Sequence, residues 1–125
     1  MENKLRIMVI DDENIVGKRL KPALEKTGDI VETFEDGRKA LERFDEQPFD
    51  IVVTDVRMDE IDGIEVLEQV LARSNRTKVI IITGYATVEV AREALTKGAF
   101  DFIAKPFKPN DLRAIIDRAA RDLKS

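Results

Sequence analysis

The sequence IMVIDD at residues 7–12 decides the fold, because a short, solid apolar run stops abruptly at two acids. Its Val and Ile content predicts a strand over residues 5–11 that is buried on both faces of a parallel sheet. The pattern recurs three times: IVVTD at residues 51–55 ends in an acid, VIIIT at residues 79–83 ends in a hydroxyl, and FIAK at residues 102–105 ends in a lysine. In an open parallel sheet such ends meet at one edge, where ligands bind.

Apolar residues at helical spacing occupy the segments between these runs and a further short strand at residues 30–34. Helices are predicted over residues 14–27, after the capping residue Asp36, after the loop 56–62 to about Ser74, from Val88 to the closing Gly98, and from near Pro109 onwards. Five strands that alternate with five helices predict an α/β protein with a doubly wound parallel sheet. We expect the flavodoxin-like (βα)5 order 2-1-3-4-5, which places the ends of the first and third strands side by side.

Length and composition limit the classes of function. A chain of 125 residues is expected to form a single domain over residues 1–125, and its formal net charge of −4 argues against direct nucleic-acid binding. The absence of Cys and His excludes disulfides, thiolate metal sites and histidine chemistry. No apolar stretch is long enough to span a membrane and residues 1–4 lack a signal-peptide core, so we expect a cytoplasmic protein without membrane contact.

The converging strand ends predict a site for a divalent cation and a phosphoryl group. Asp11, Asp12 and Asp55 would repel one another unless a cation neutralised them, and oxygen-only ligation suits Mg²⁺. A carboxylate in such a site can attack a phosphoryl group and form an acyl phosphate, which makes Asp55 the candidate nucleophile. Lys105 would neutralise charge during the transfer, and Thr83 offers a hydroxyl to a phosphoryl oxygen.

Each of these residues also has a simpler interpretation. Asp11 and Asp12 could merely cap the first helix, Lys105 could be a surface lysine that ends an edge strand, and Thr83 could reflect β-propensity alone. The coincidence of all these groups at matching strand ends favours the site. The bond between Lys105 and Pro106 is in addition a candidate for a cis peptide.

Taken together, these residues resemble the receiver domain of two-component response regulators over residues 5–124. The similarity is carried by Asp11-Asp12, Asp55, Asp62-Gly63, Thr83-Gly84 and Lys105-Pro106-Phe107. The stretches at residues 82–88 and 98–102 are similar to receivers attached to sigma-54 activator ATPases. We expect no output domain within these residues, so the chain is either a stand-alone regulator or a receiver from a longer protein.

The resemblance implies a role for each acid. Asp55 would be the phosphoacceptor of a Mg²⁺-dependent transfer from a sensor histidine kinase or a phosphotransfer protein. Asp12 would bind Mg²⁺ directly and Asp11 mostly through water, and the backbone carbonyl of Arg57 would complete the protein ligands. The domain would be a switch and not a turnover enzyme that acts on external substrates.

The resemblance also implies how the switch is read. Lys105 and Thr83 would hold the phosphoryl oxygens, and Thr83 with Phe102 would change position on phosphorylation. The surface of the fourth helix, fifth strand and fifth helix would then control a downstream protein or a covalent output domain, with transcription as one outcome. The residues leave open whether this surface also forms a homodimer.

Three residues are expected to tune the lifetime of the phosphorylated state. Arg57 and Tyr85 flank the path of an attacking water in this fold. Asp59 stands where the family usually has proline after a methionine, here Met58. It either affects metal affinity and phosphoryl lifetime or simply belongs to a solvated loop face.

Two other classes of function fit the sequence less well: a pure interaction module, and an enzyme or flavin binder on the same fold. A degenerate receiver that acts only as an interaction module would be expected to lack an acid or the lysine, and none is lost. A flavin site would meet the acidic run at residues 11–13, which would repel the flavin phosphate. A phosphatase would need a general acid and a substrate cap, and no insertion is long enough to form that cap.

Overall fold

The computed structural model of the chain describes residues 4–56, 62–84 and 88–124. Within these ranges no helix has the length and apolar character that a bilayer crossing requires. Strands and helices alternate along the chain in this order: β1 Arg6–Ile10, α1 Asn14–Glu25, β2 Ile30–Phe34, α2 Gly37–Glu46, β3 Ile51–Asp55, α3 Gly63–Arg73, β4 Lys78–Thr83, α4 Val88–Thr96, β5 Asp101–Ala104 and α5 Pro109–Leu123.

The five strands form one parallel sheet in the order β2-β1-β3-β4-β5, which confirms the predicted flavodoxin-like architecture. The register brings the hydrophilic strand ends level with one another. Ile10 pairs with Thr54, so the residues that follow them, Asp11 and Asp55, lie at adjacent positions of the sheet edge. On the other side of β3, Thr83 of β4 pairs with Ala104 of β5.

Two boundaries are shorter than the sequence predicted. β1 covers residues 6–10 and not 5–11, and α1 ends at Glu25 and not at Thr27. The helix stops early because Gly28 N donates a hydrogen bond to the Glu25 carbonyl at 2.9 Å and Gly28 adopts a φ of +92°. This left-handed conformation, which favours glycine, turns the chain away from the helix towards β2.

The sheet separates two apolar clusters, because successive side chains of a strand point to opposite faces. Met8 and Ile10 join the cluster that packs under α2, α3 and α4. Ile7 and Val9 join the cluster under α1 and α5. Every residue of β3, the middle strand, is buried. Helix layers on both faces therefore fix the strand ends that carry the acids and the lysine.

Candidate functional site

Three carboxylates meet at the carboxyl edge of β1 and β3. Asp11 and Asp12 follow β1 and Asp55 ends β3, and one oxygen from each of the three lies within 4.8 Å of the others. Asp11 and Asp55 are buried, whereas Asp12 is exposed at the mouth of the site. The structure thus brings together the three acids that the sequence placed side by side.

The ammonium of Lys105 lies among these acids. Its Nζ is 3.1 Å from Asp55 Oδ2, 3.0 Å from Asp11 Oδ2 and 2.8 Å from Glu13 Oε1. Burial by itself lowers the pKa of Lys105, but the three carboxylates raise it more strongly, and the net pKa lies above the ordinary value for lysine. Lys105 is therefore a cation throughout the neutral pH range.

Asp11 is held in an environment that is unfavourable for its charge. Its Oδ1 accepts a hydrogen bond from Glu13 N at 2.9 Å. Its Oδ2 approaches Lys105 Nζ, but the contact is not aligned as a hydrogen bond, so this buried oxygen has no hydrogen bond among the described residues. Burial raises the pKa of Asp11, the contacts with Glu13 and Lys105 oppose that rise, and the charge of Asp55 adds to it. A cation at this point would stabilise the carboxylate.

Thr83 and Lys105 are positioned on neighbouring strand ends. Thr83 is the last residue of β4 and is 1% exposed. Its carbonyl oxygen accepts a hydrogen bond from the backbone N–H of Lys105 at 2.8 Å. The peptide bond between Lys105 and Pro106 is cis. The backbone of Lys105 is therefore hydrogen-bonded directly to that of Thr83, which the sequence predicts to contact the phosphoryl group.

The start of α3 packs against the backbone of the candidate nucleophile. Asp62 caps α3, because its Oδ1 accepts a hydrogen bond from Glu65 N at 2.9 Å. Gly63 N donates to the Val56 carbonyl at 2.9 Å. A Cβ at Gly63 would lie 2.2 Å from the Asp55 carbonyl oxygen and 2.7 Å from Val56 Cα, so only glycine fits there. The Asp62-Gly63 pair thus holds the end of β3 in place.

Phe102 lies on β5, where it pairs with Ile81 and packs, partly buried, against the cluster under α2, α3 and α4. The change in its position on phosphorylation stays a prediction. Arg57, Asp59 and Tyr85 lie outside the described residues. The tuning roles of these three residues, and the metal-ligating carbonyl of Arg57, stay predictions.

The donor set at this edge fits Mg²⁺. Three carboxylates supply only oxygen atoms, and the chain contains neither Cys nor His that would favour a softer metal. Asp11 Oδ2 is a buried oxygen without a hydrogen bond among the described residues, as expected of an oxygen that binds a metal ion. Asp11, Asp12 and Asp55 could therefore hold a magnesium ion together with waters.

Glu13 is the residue of this site that sequence reasoning missed. It makes the shortest of the three contacts to Lys105, although it was considered only as part of an acidic run. The contact lowers the pKa of the Glu13 carboxyl. The available signal was its position directly after the two candidate metal ligands, on the turn into α1.

Comparison with protein families gives one match across most of the chain. The family described as the response regulator receiver domain matches residues 7–117. The regulatory protein AtoC of Escherichia coli K12 is 42% identical over 114 residues, which cover 91% of this chain and 25% of AtoC. The transcriptional regulatory protein ZraR of the same strain is 39% identical over 117 residues, or 94% of this chain and 26% of ZraR. The chain thus spans about a quarter of these two relatives.

Solved structures show the same fold. A CheY-like receiver domain protein from Methanospirillum hungatei superposes with a TM-score of 0.93 at 28% identity, covering 98% of both chains. The beryllofluoride-activated NtrC4 receiver domain dimer gives 0.90 at 32% identity, covering 94% of this chain and 98% of that one. The CheX–CheY–BeF3–Mg complex from Borrelia burgdorferi gives 0.85 at 26% identity, covering 91% and 87%.

Proposed function

The chain belongs to the receiver domain family of two-component response regulators, and from this membership we propose that it is a phosphorylation-operated switch whose phosphoacceptor is Asp55. The observation that carries the proposal is the meeting of Asp11, Asp12 and Asp55 with the Lys105 ammonium at one sheet edge. The proposed nucleophile, two further acids and the ammonium are all found among the described residues of this edge.

The proposed transfer takes a phosphoryl group from a phosphohistidine of a sensor kinase or a phosphotransfer protein. An oxygen of the Asp55 carboxylate attacks phosphorus, the new O–P bond forms as the P–N bond breaks, and the electron pair returns to the imidazole nitrogen. The Asp55 side chain is 7% exposed and one of its oxygens lies 3.1 Å from Lys105 Nζ, so its direction is fixed before the donor arrives. Positioning and charge neutralisation are the main demands of phosphoryl transfer.

Asp11, Asp12 and Asp55 would hold Mg²⁺, with the backbone carbonyl of Arg57 as a further proposed ligand. The ion would supply positive charge to the phosphoryl oxygens. Two observations support this assignment: the oxygen-only donor set and the buried, incompletely satisfied Oδ2 of Asp11. The related CheY from Borrelia burgdorferi was solved with BeF3 and Mg²⁺.

Phosphorylation would act through Thr83 and Phe102. A phosphoryl group adds a charge of about −1.5 to −2, and it can shift the domain between two states only through contacts that differ between them. Lys105 and Thr83 would make those contacts. Their backbones are joined by a hydrogen bond, and β5 carries Phe102 three residues before the lysine. The motion would therefore reach α4, β5 and α5.

The surface of α4, β5 and α5 would control a downstream protein or an output domain, with transcription as the process affected. This is supported by the relatives AtoC, a regulatory protein, and ZraR, a transcriptional regulatory protein. A homodimer is part of the proposal because the similar NtrC4 receiver was solved as a dimer. Arg57, Asp59 and Tyr85 would set how long the phosphorylated state lasts.

The proposal is tested by incubating the protein with Mg²⁺ and acetyl phosphate and measuring its intact mass. The wild type should gain one phosphoryl group, whereas Asp55→Asn should gain none. Omission of Mg²⁺ should abolish labelling. A wild type that stays unlabelled at saturating donor and metal would contradict the proposal and favour a pure interaction module.

A further inference from the structure

We propose that Glu13 is a positioning residue that competes with the incoming phosphoryl group for the ammonium of Lys105 and thereby slows phosphorylation. This inference rests on the proposed function, since it concerns the rate at which Asp55 is labelled. Glu13 is neither a candidate metal ligand nor a candidate nucleophile. Its effect would be exerted entirely through the lysine.

The geometry of Lys105 shows the competition. An ammonium has three N–H donors, and Nζ here has three carboxylate neighbours at 2.8, 3.0 and 3.1 Å. Two of these neighbours, Asp11 and Asp55, belong to the reacting site itself. The third and shortest contact is to Glu13 Oε1, whose side chain is 61% exposed. Two of the three N–H groups donate hydrogen bonds, to Glu13 Oε1 and to Asp55 Oδ2, so a phosphoryl oxygen on Asp55 that draws the ammonium towards itself would weaken the contact with Glu13.

Of the three neighbours, Glu13 can lose its contact with Lys105 at the smallest cost in free energy. Asp55 carries the phosphoryl group, and Asp11 is 1% exposed at the side chain, so neither can turn away. Glu13 can exchange its contact with Lys105 for water.

Within the part of the chain that the structure describes, the Glu13 side chain makes its hydrogen bond and ion pair with Lys105 and with no other residue. The residue occupies the N-cap position of α1, but its side chain makes no capping hydrogen bond. Only its backbone takes part in the turn, where its carbonyl accepts from Val16 N at 3.0 Å and its N–H donates to Asp11 Oδ1 at 2.9 Å. Glu13→Gln keeps this backbone and removes only the charge, so the variant is expected to fold as the wild type does.

The size of the effect follows from the exposure of the pair. Ion pairs with one exposed partner are modest, and release of such a contact corresponds to roughly a two- to fivefold change in rate or affinity. Salt should weaken this effect, because the Debye length falls from about 30 Å at 0.01 M salt to about 3 Å at 1 M, which is comparable with the contact distance. A decrease of the effect with added salt is therefore expected of a competing charge and not of a structural role.

The test compares the wild type, Glu13→Gln and the matched control Glu35→Gln. Glu35 is an exposed acid that lines the same cavity as Asp11, whereas Glu13 and Lys105 together line a different one. Two quantities are measured with saturating Mg²⁺ at low and high salt. One is the labelling rate with acetyl phosphate by intact mass, and the other is the affinity for beryllofluoride, a non-covalent phosphoryl mimic, by NMR titration.

Glu13→Gln should label roughly two to five times faster than the wild type and bind beryllofluoride more tightly by a similar factor at low salt. Both ratios to the wild type should fall towards one at high salt, and Glu35→Gln should behave as the wild type. An unchanged or slower Glu13→Gln, or an equal acceleration in Glu35→Gln, would overturn the inference. These outcomes require that the wild type be labelled, so they are distinct from failure of the proposed function, in which the wild type itself gains no phosphate.

Discussion

Replacement of Lys105 by methionine should destabilise the metal-free protein, because it leaves two buried carboxylates without their cation. Lys105 Nζ lies 3.0 Å from Asp11 Oδ2 and 3.1 Å from Asp55 Oδ2, and the two acid side chains are 1% and 7% exposed. Methionine keeps the length and the apolar stem of the lysine. The change therefore removes little except the charge.

The magnitude follows from these distances and exposures. At an effective dielectric constant of about 20, each pair has a gross attraction of about 5 kcal/mol, most of which is offset by desolvation. Removal of one partner from a fully buried pair costs about 3–5 kcal/mol. The Lys105 side chain is 19% exposed at the edge of the site, which places the expected loss below that range, at about 2–3 kcal/mol.

Urea unfolding followed by circular dichroism measures this loss. In EDTA, Lys105→Met should unfold at a urea concentration about 1–2 M below the wild type, for a slope near 1.5–2 kcal/mol/M. Saturating Mg²⁺ should narrow the difference, because the ion replaces part of the missing charge. Lys39→Met, which removes an exposed lysine of α2, should change the free energy of unfolding by less than about 0.5 kcal/mol.

Equal stability of Lys105→Met and the wild type in EDTA would refute the reasoning, because the ammonium would then not be compensating buried charge. If Mg²⁺ leaves the difference in the free energy of unfolding unchanged, the expectation that the ion replaces part of the lysine's charge would be refuted. In that case the metal and the lysine would be acting on separate groups of atoms.

Three further predictions concern the same edge. Gly63→Ala should lower the free energy of unfolding by about 1–3 kcal/mol and slow the labelling of Asp55, because the new Cβ would lie 2.2 Å from the Asp55 carbonyl oxygen. Gly28→Ala is the control, because no atom lies within 4 Å of the new Cβ and only backbone strain is added. Unchanged labelling in both variants would contradict the steric argument. Mg²⁺ at about one hundred times its dissociation constant should stabilise the wild type by about 2.7 kcal/mol in a thermal melt, and Asp11→Asn with Asp12→Asn should lose this gain; an equal gain in the double variant would place the ion elsewhere. Because burial raises the pKa of Asp11, its charge opposes folding above that pKa and ceases to do so as the pH falls towards its ordinary value of 3.8. Metal-free Asp11→Asn should therefore gain most over the wild type near neutral pH, with the advantage shrinking on acidification; urea midpoints that differ by the same amount at every pH would contradict this sign.

The sequence was sufficient to predict the sheet and the convergence of the acids. Strand positions are encoded in solid apolar runs with clear ends, such as residues 51–55, and the strand order follows from the few topologies that right-handed crossovers allow. Once the order 2-1-3-4-5 is given, the positions of Asp11 and Asp55 follow from the register alone. The extent of α1 was less predictable, because residues 26 and 27 suit a helix and the stop depends on the conformation of Gly28.

The contacts of individual side chains could not be predicted. Glu13 reaches Lys105 across 92 positions of sequence, and only the folded backbone shows that its side chain turns towards the lysine. The reason for glycine at residue 63 is likewise a distance to the backbone of Asp55, which no local pattern encodes. Sequence patterns therefore predicted which groups meet at the edge, whereas the structure was needed to show how each group is held.

The central claim is that Asp55 accepts a phosphoryl group, and the most direct measurement is to trap and locate the acyl phosphate. After incubation with Mg²⁺ and acetyl phosphate, borohydride reduction converts an aspartyl phosphate to homoserine, which peptide mass spectrometry can assign to a residue. The account predicts homoserine at position 55 in the wild type and none in a sample incubated without Mg²⁺. Homoserine at Asp11 or Asp12, or at no residue under saturating donor and metal, would contradict it.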